Sequence, residues 1–100
     1  MPDERRNEPR IPVNLDVIWE ATAGLQGART SDLSLGGCFV DSFGRVAEGE
    51  RIKFKMILPH GEWVEIEGVV AYQYPMVGFG VRFINMSDEV REKLGAVLHG

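Results

Sequence analysis

Arg51-Ile52-Lys53-Phe54-Lys55-Met56-Ile57-Leu58, then Pro59-His60-Gly61-Glu62, then Trp63-Val64-Glu65-Ile66-Glu67-Gly68-Val69-Val70 is the stretch whose reading decides the fold. Side chains alternate across a strand, so Ile52, Phe54 and Met56 share one face while Lys53 and Lys55 share the other. The returning run repeats the pattern: Val64, Ile66, Gly68 and Val70 lie on one face, and Glu65 and Glu67 face water. Pro-His-Gly between two such runs predicts a tight connection and therefore an antiparallel hairpin with one apolar and one charged face.

Reading outward from this hairpin, Val13 to Trp19 alternates in the same way and predicts a half-buried strand. Thr22 to Gly27 carries two glycines and predicts a hairpin connection. Ala28 to Leu33 and Cys38 to Val40 are further short strands, separated from the hairpin by the loop Ser42-Phe43-Gly44 and the turn Glu48-Gly49-Glu50. On the other side, Val77 to Ile84 reads as the last strand, where Gly78 and Gly80 imply a bend or a close approach of backbones. The period then changes. Ser87 is a helix cap, Asp88 and Glu89 suit the positive end of the helix dipole, and Val90, Leu94, Val97 and Leu98 recur at helical spacing.

Short strands with regular turn signals and one closing helix predict a mainly β fold. It is a small antiparallel β-barrel of about six strands with a C-terminal α-helix. Residues 1–11 lack periodicity and carry Pro2 and Pro9, so they read as an extended, flexible N-terminal arm. Residues 12–100 are the barrel, with its terminal helix at 87–98.

The chain of 100 residues has 44% hydrophobic and 26% charged residues, in the range of a single globular domain. No apolar run approaches the ~20 residues of a membrane span, and Met-Pro-Asp-Glu-Arg-Arg is not a secretory signal. A cytoplasmic protein is expected. The net charge of −4 argues against a general DNA or RNA binder, including a single-strand-binding barrel. Catalysis finds little support. His60, His99 and Cys38 are too scattered for a metal site, and no histidine is placed to serve Ser34 as a base. Glu65 and Glu67 lie on the solvated face of a strand. Neither an enzyme nor a resident cofactor or metal is expected.

Two short motifs remain. Arg5-Arg6-Asn7-Glu8-Pro9-Arg10 contains R-x-x-x-R, formed by Arg6 and Arg10. Ser31-Asp32-Leu33-Ser34-Leu35-Gly36-Gly37 contains D-x-S-x-x-G, formed by Asp32, Ser34 and Gly37. Taken singly, the first reads as a solvated tail and the second as a turn whose Asp and Ser cap their own backbone. Together, in this order and strand context, they resemble the PilZ domain family, whose members are bacterial receptors for cyclic di-GMP. The likeness extends through Thr30–Val40, through Val77-Gly78-Phe79-Gly80-Val81-Arg82-Phe83-Ile84, and through the helix-like tail, so it covers the chain roughly from Arg5 onward.

The resemblance implies cyclic di-GMP as the ligand, bound by Arg5, Arg6, Arg10, Asp32, Ser34, Gly36 and Gly37, with Gly80 and Arg82 lining the same barrel face. It also implies a downstream protein partner, and leaves a homodimer open. The residue chemistry suits a dinucleotide. Arginine grips phosphate, pairs with a guanine edge or stacks on the base, and an ionised Asp32 accepts from guanine's N1–H and N2–H₂. Arg6 and Arg10 would lie ~13 Å apart on an extended arm, which would close over the ligand on binding. The alternative is a PilZ-like adaptor for pilus or motility machinery that binds protein and no nucleotide. The intact motifs speak against it.

Overall fold

The computed structural model describes residues 10–21, 24–42, 44 and 46–99. The hairpin that anchors the sequence reading is β5 (Arg51–Ile57) and β6 (Trp63–Tyr74), in register from Arg51↔Val69 to Ile57↔Trp63. Its turn needs a left-handed residue, and Gly61 supplies it with φ +96°. The remaining strands are β1 (Ile11–Pro12), β2 (Asp16–Ala21), β3 (Gly24–Leu33), β4 (Gly37–Asp41) and β7 (Gly78–Ile84), followed by helix α1 (Asp88–His99).

Hydrogen-bonded neighbours run β1-β3-β2-β5-β6-β7-β4, and β4 pairs back onto β3. That last pairing closes β2 to β7 into a six-stranded antiparallel barrel and leaves β1 as an addition beside β3. The inward residues follow the predicted alternation: Ile52, Phe54, Met56, Val64, Ile66 and Val70 are all buried. Trp19 meets Phe79 edge-on across the core at 5.5 Å. Ser87 caps α1 by accepting the Val90 N–H at 3.2 Å, and the helix sinks Leu94 completely. Lys93 of α1 pairs with Glu62 and so ties the helix to the β5–β6 turn.

Three strands depart from expectation. Val13 to Trp19 is not one strand, because pairing stops after Pro12 and resumes at Asp16. Side chains bridge the gap. The wholly buried Thr30 hydroxyl accepts the Leu15 N–H at 3.0 Å and donates to the Val13 carbonyl at 2.7 Å, while the Asn14 amide donates to the Thr30 carbonyl at 2.8 Å. β3 begins at Gly24, so Gly24 to Gly27 belong to a strand rather than a connection. Leu25 there is 74% exposed, and the apolar alternation that marks a buried strand is missing. β6 runs on to Tyr74 through a bulge between Val70 and Tyr72.

A second bulge lies in β3, where Thr30 pairs with Val40 and Asp32 with Phe39, leaving Ser31 as the extra residue. A bulge sets two residues against one and so reverses which face the following residues occupy. Thr30 faces the core and Asp32 faces out. Val70 faces the core and Tyr72 faces out.

Thr30→Val keeps the shape but strands a buried N–H and a part-buried carbonyl. The expected loss is about 2–4 kcal/mol of stability, measured by urea unfolding. Asn14→Ala, which removes one half-buried contact, should cost less.

Candidate functional site

The two bulges place a row of residues on the outside of the barrel. Asp32 of β3 pairs with Phe39 of β4, Phe39 with Gly80 of β7, and Gly80 with Tyr72 of β6. Arg10, just ahead of β1, lies over this row. Its Nε stands 3.6 Å from Asp32 Oδ1, with the two side chains 49% and 28% exposed. At the other end of the row, the Tyr72 hydroxyl is the largest influence raising the Arg10 pKa above its ordinary value; partial burial opposes it, and Asp32 adds to it. Arginine is charged at any accessible pH in either case, so the shift changes no protonation state.

The Asp32 oxygen is unusual. Oδ1 is shielded from water, and no donor among the described residues reaches it within hydrogen-bond distance. The Arg10 contact is an ion pair too long for a hydrogen bond. Buried acceptors are normally satisfied, and a charged one left without donors is costly. A ligand offering N–H groups here would satisfy it.

Ser34 behaves differently. It is only 5% exposed, and its hydroxyl accepts the Gly36 and Gly37 N–H groups, each at 3.2 Å, and donates to the Gly37 carbonyl at 3.3 Å. The capping reading of the turn thus holds for Ser34, whereas Asp32 points outward to Arg10. The Gly36 carbonyl accepts the Phe83 N–H at 2.9 Å and pins the turn to β7. Gly37 answers a demand of the barrel: a Cβ there would lie 2.2 Å from the Val81 carbonyl oxygen. Arg82 is exposed and pairs with Gly37, one step along from the Asp32 row.

The structure thus brings together Arg10, Asp32 and Gly80, with Ser34, Gly36, Gly37 and Arg82 alongside. Arg5 and Arg6 lie outside the described residues, as does the arm up to residue 9. Sequence reasoning missed an aromatic cluster. Phe39, Tyr72 and Tyr74 pack on one another with ring centroids 5.5–6.2 Å apart. Phe39 lies over Gly78 and Tyr72 over Gly80, so closely that a Cβ at either glycine would enter the ring. The available signal was Tyr72-Gln73-Tyr74 facing Gly78-Phe79-Gly80 across a short turn, each tyrosine opposite a glycine.

Beneath the row, wholly buried Cys38 has its thiol pKa pushed up to about 12 by burial, so it is a neutral packing residue. No group of three or more potential metal ligands occurs among the described residues, and none of the described helices is long and apolar enough to cross a membrane. Two clefts lie around Ser42 and Gly44, toward the far end of β4. The motif residues occupy an open face instead.

A family model for the PilZ domain matches residues 4–100. The chain belongs to the PilZ domain family. No curated protein sequence matches it. Among solved structures, YcgR from Escherichia coli in complex with c-di-GMP is similar at TM-score 0.80 and 20% identity, over 95% of this chain and 45% of that one. The Bacillus subtilis inhibitor of motility, MotI/DgrA, is similar at TM-score 0.78 and 21% identity, over 99% of this chain and 55% of that one. The isolated YcgR PilZ domain with c-di-GMP matches at TM-score 0.76 and 18% identity, over 95% and 90%. The PilZ domain thus spans about half the length of the first two relatives. The family comprises cyclic di-GMP receptors and adaptors rather than enzymes.

Gly37→Ala should destabilise the PilZ domain by about 1–3 kcal/mol or more, since the added methyl meets backbone on a neighbouring strand. Thermal melting without ligand checks this. An unchanged melting temperature would show that β4 and β7 separate more easily than the register implies.

Proposed function

We propose that this PilZ domain is a cyclic di-GMP receptor that uses the outer face of β3, β4, β7 and β6 as its binding surface. The observation that carries the reading is the Asp32 carboxylate: outward-facing, paired with Arg10, and holding one shielded oxygen to which no described donor is bonded. Guanine offers N1–H and N2–H₂ to such an acceptor, and the arginine fork suits a phosphate or a guanine edge. Ser34, Gly36 and Gly37 act through the shape of the turn that presents Asp32. Arg5 and Arg6, shortly ahead of Arg10 in the sequence, would supply further cations for the phosphates.

Binding would draw the segment that precedes β1 onto this face. A change in that segment is what a downstream protein partner, in the cytoplasm, would sense. The domain needs no cofactor or metal for this. Ligand stoichiometry and a homodimer are read from the same titration and from sedimentation.

Calorimetric titration with cyclic di-GMP should give a micromolar or tighter Kd, equivalent to about −8 kcal/mol. Cyclic di-AMP should bind at least tenfold more weakly, because adenine N1 sets an acceptor against Asp32. Arg10→Ala should weaken binding by about 1–3 kcal/mol. It should change stability by no more than about 0.5 kcal/mol, since Arg10 is exposed and its described contacts are at the surface. A flat titration by a folded protein would return the chain to the nucleotide-free adaptor reading. Equal affinity for the two dinucleotides would remove Asp32 as the base reader.

A further inference from the structure

We infer that Tyr72 is a ligand-contacting residue of this site, its ring serving as the stacking surface for a guanine base. The inference rests on the cyclic di-GMP reading and adds a residue that neither motif contains.

Three features of the fold converge on this ring. The first is the bulge at Ala71. Strict alternation from Val70, whose partner is Val81, would set Ala71 opposite Gly80 and turn Tyr72 inward opposite Phe79. The bulge sets Tyr72 opposite Gly80 instead, facing out in the row that holds Asp32.

The second is the notch beneath it. A Cβ at Gly80 would lie 2.3 Å from Tyr72 Cζ, so the ring lies across the β7 backbone where no side chain fits. Phe39 at 6.1 Å and Tyr74 at 5.5 Å, centroid to centroid, buttress it from two sides. A half-exposed aromatic held in one orientation has little freedom left to lose on binding, which favours it as a platform.

The third is its place in the row. Asp32 and Tyr72 stand at the two ends of the outward row Asp32–Phe39–Gly80–Tyr72, and Arg10, with its Nε 3.6 Å from Asp32 Oδ1, lies beside the acceptor end. A base hydrogen-bonded to Asp32 would extend along this row toward the ring, leaving Arg10 to turn to the other face of the base or to a phosphate.

The test is titration of cyclic di-GMP into wild type, Tyr72→Leu, Tyr72→Phe and Arg10→Ala, with NMR of the wild-type complex. Base–aromatic stacking is worth about 1–3 kcal/mol per base, so Tyr72→Leu should weaken binding by about tenfold or more. Tyr72→Phe keeps the ring and should recover most of the affinity, to within about threefold. In the wild-type complex a guanine H8 resonance should move upfield and show NOEs to the Tyr72 ring protons, a readout independent of how any variant folds. The inference is overturned if wild type binds and Arg10→Ala binds more weakly, while a folded Tyr72→Leu keeps wild-type affinity and H8 shows no contact with Tyr72. That result would leave the receptor reading intact. Absence of binding by wild type would overturn the receptor reading, and this inference with it.

Discussion

Closure of the barrel through the β3–β4 pairing is the constraint on which the other features depend. β3 must satisfy β2 and β1 along one edge and β4 along the other. It meets both demands by carrying one residue more than β4 needs, at Ser31. Thr30 then points to the core, where its hydroxyl completes the backbone hydrogen bonding of Val13 and Leu15, and Asp32 points to the outer face. One local irregularity thereby sets both the entry of the N-terminal segment and the direction of the acidic side chain. The buried hydroxyl and the outward-facing carboxylate follow from the same shift in pairing.

Much of this was legible in the sequence because it obeys a simple period. The β5–β6 hairpin, the inward set of Ile52, Phe54, Met56, Val64 and Ile66, and the capped helix with Leu94 inward were readable from alternation and capping chemistry alone. The first half of β3 was not, because Gly24 to Gly27 and the exposed Leu25 carry no apolar stripe. The break between β1 and β2 was also hidden. Val13, Leu15 and Val17 keep their alternation through it, and the groups that replace the ladder there are the side chains of Asn14 and Thr30.

The candidate site was legible as residue types and not as an arrangement. Two motifs named Arg10 and Asp32, and the structure sets them in contact. The same motifs named Ser34 and Gly37, whose described contacts are with the turn and the barrel wall. One motif therefore mixes a side chain that faces outward with residues that hold the turn and the barrel wall in shape. Conversely, Phe39, Tyr72 and Tyr74 belong to no motif, because what gathers them is register across β4, β7 and β6. The glycines gave half the message: Gly78 and Gly80 signalled a close approach, and what approaches is an aromatic ring.

The bulges also bear on how strand length relates to surface. Ala71 is a surplus residue absorbed within β6, and Val70 and Tyr72 would still oppose Val81 and Gly80 if it were absent. Ser31 stands in the same relation to Thr30 and Asp32. The outer row is thus indifferent to one residue more or less just ahead of each of its two ends. Chain length between the two ends of the row can drift by such a unit while the pattern displayed to solvent stays the same, so counting residues between them says less about kinship than the pairing of their strands.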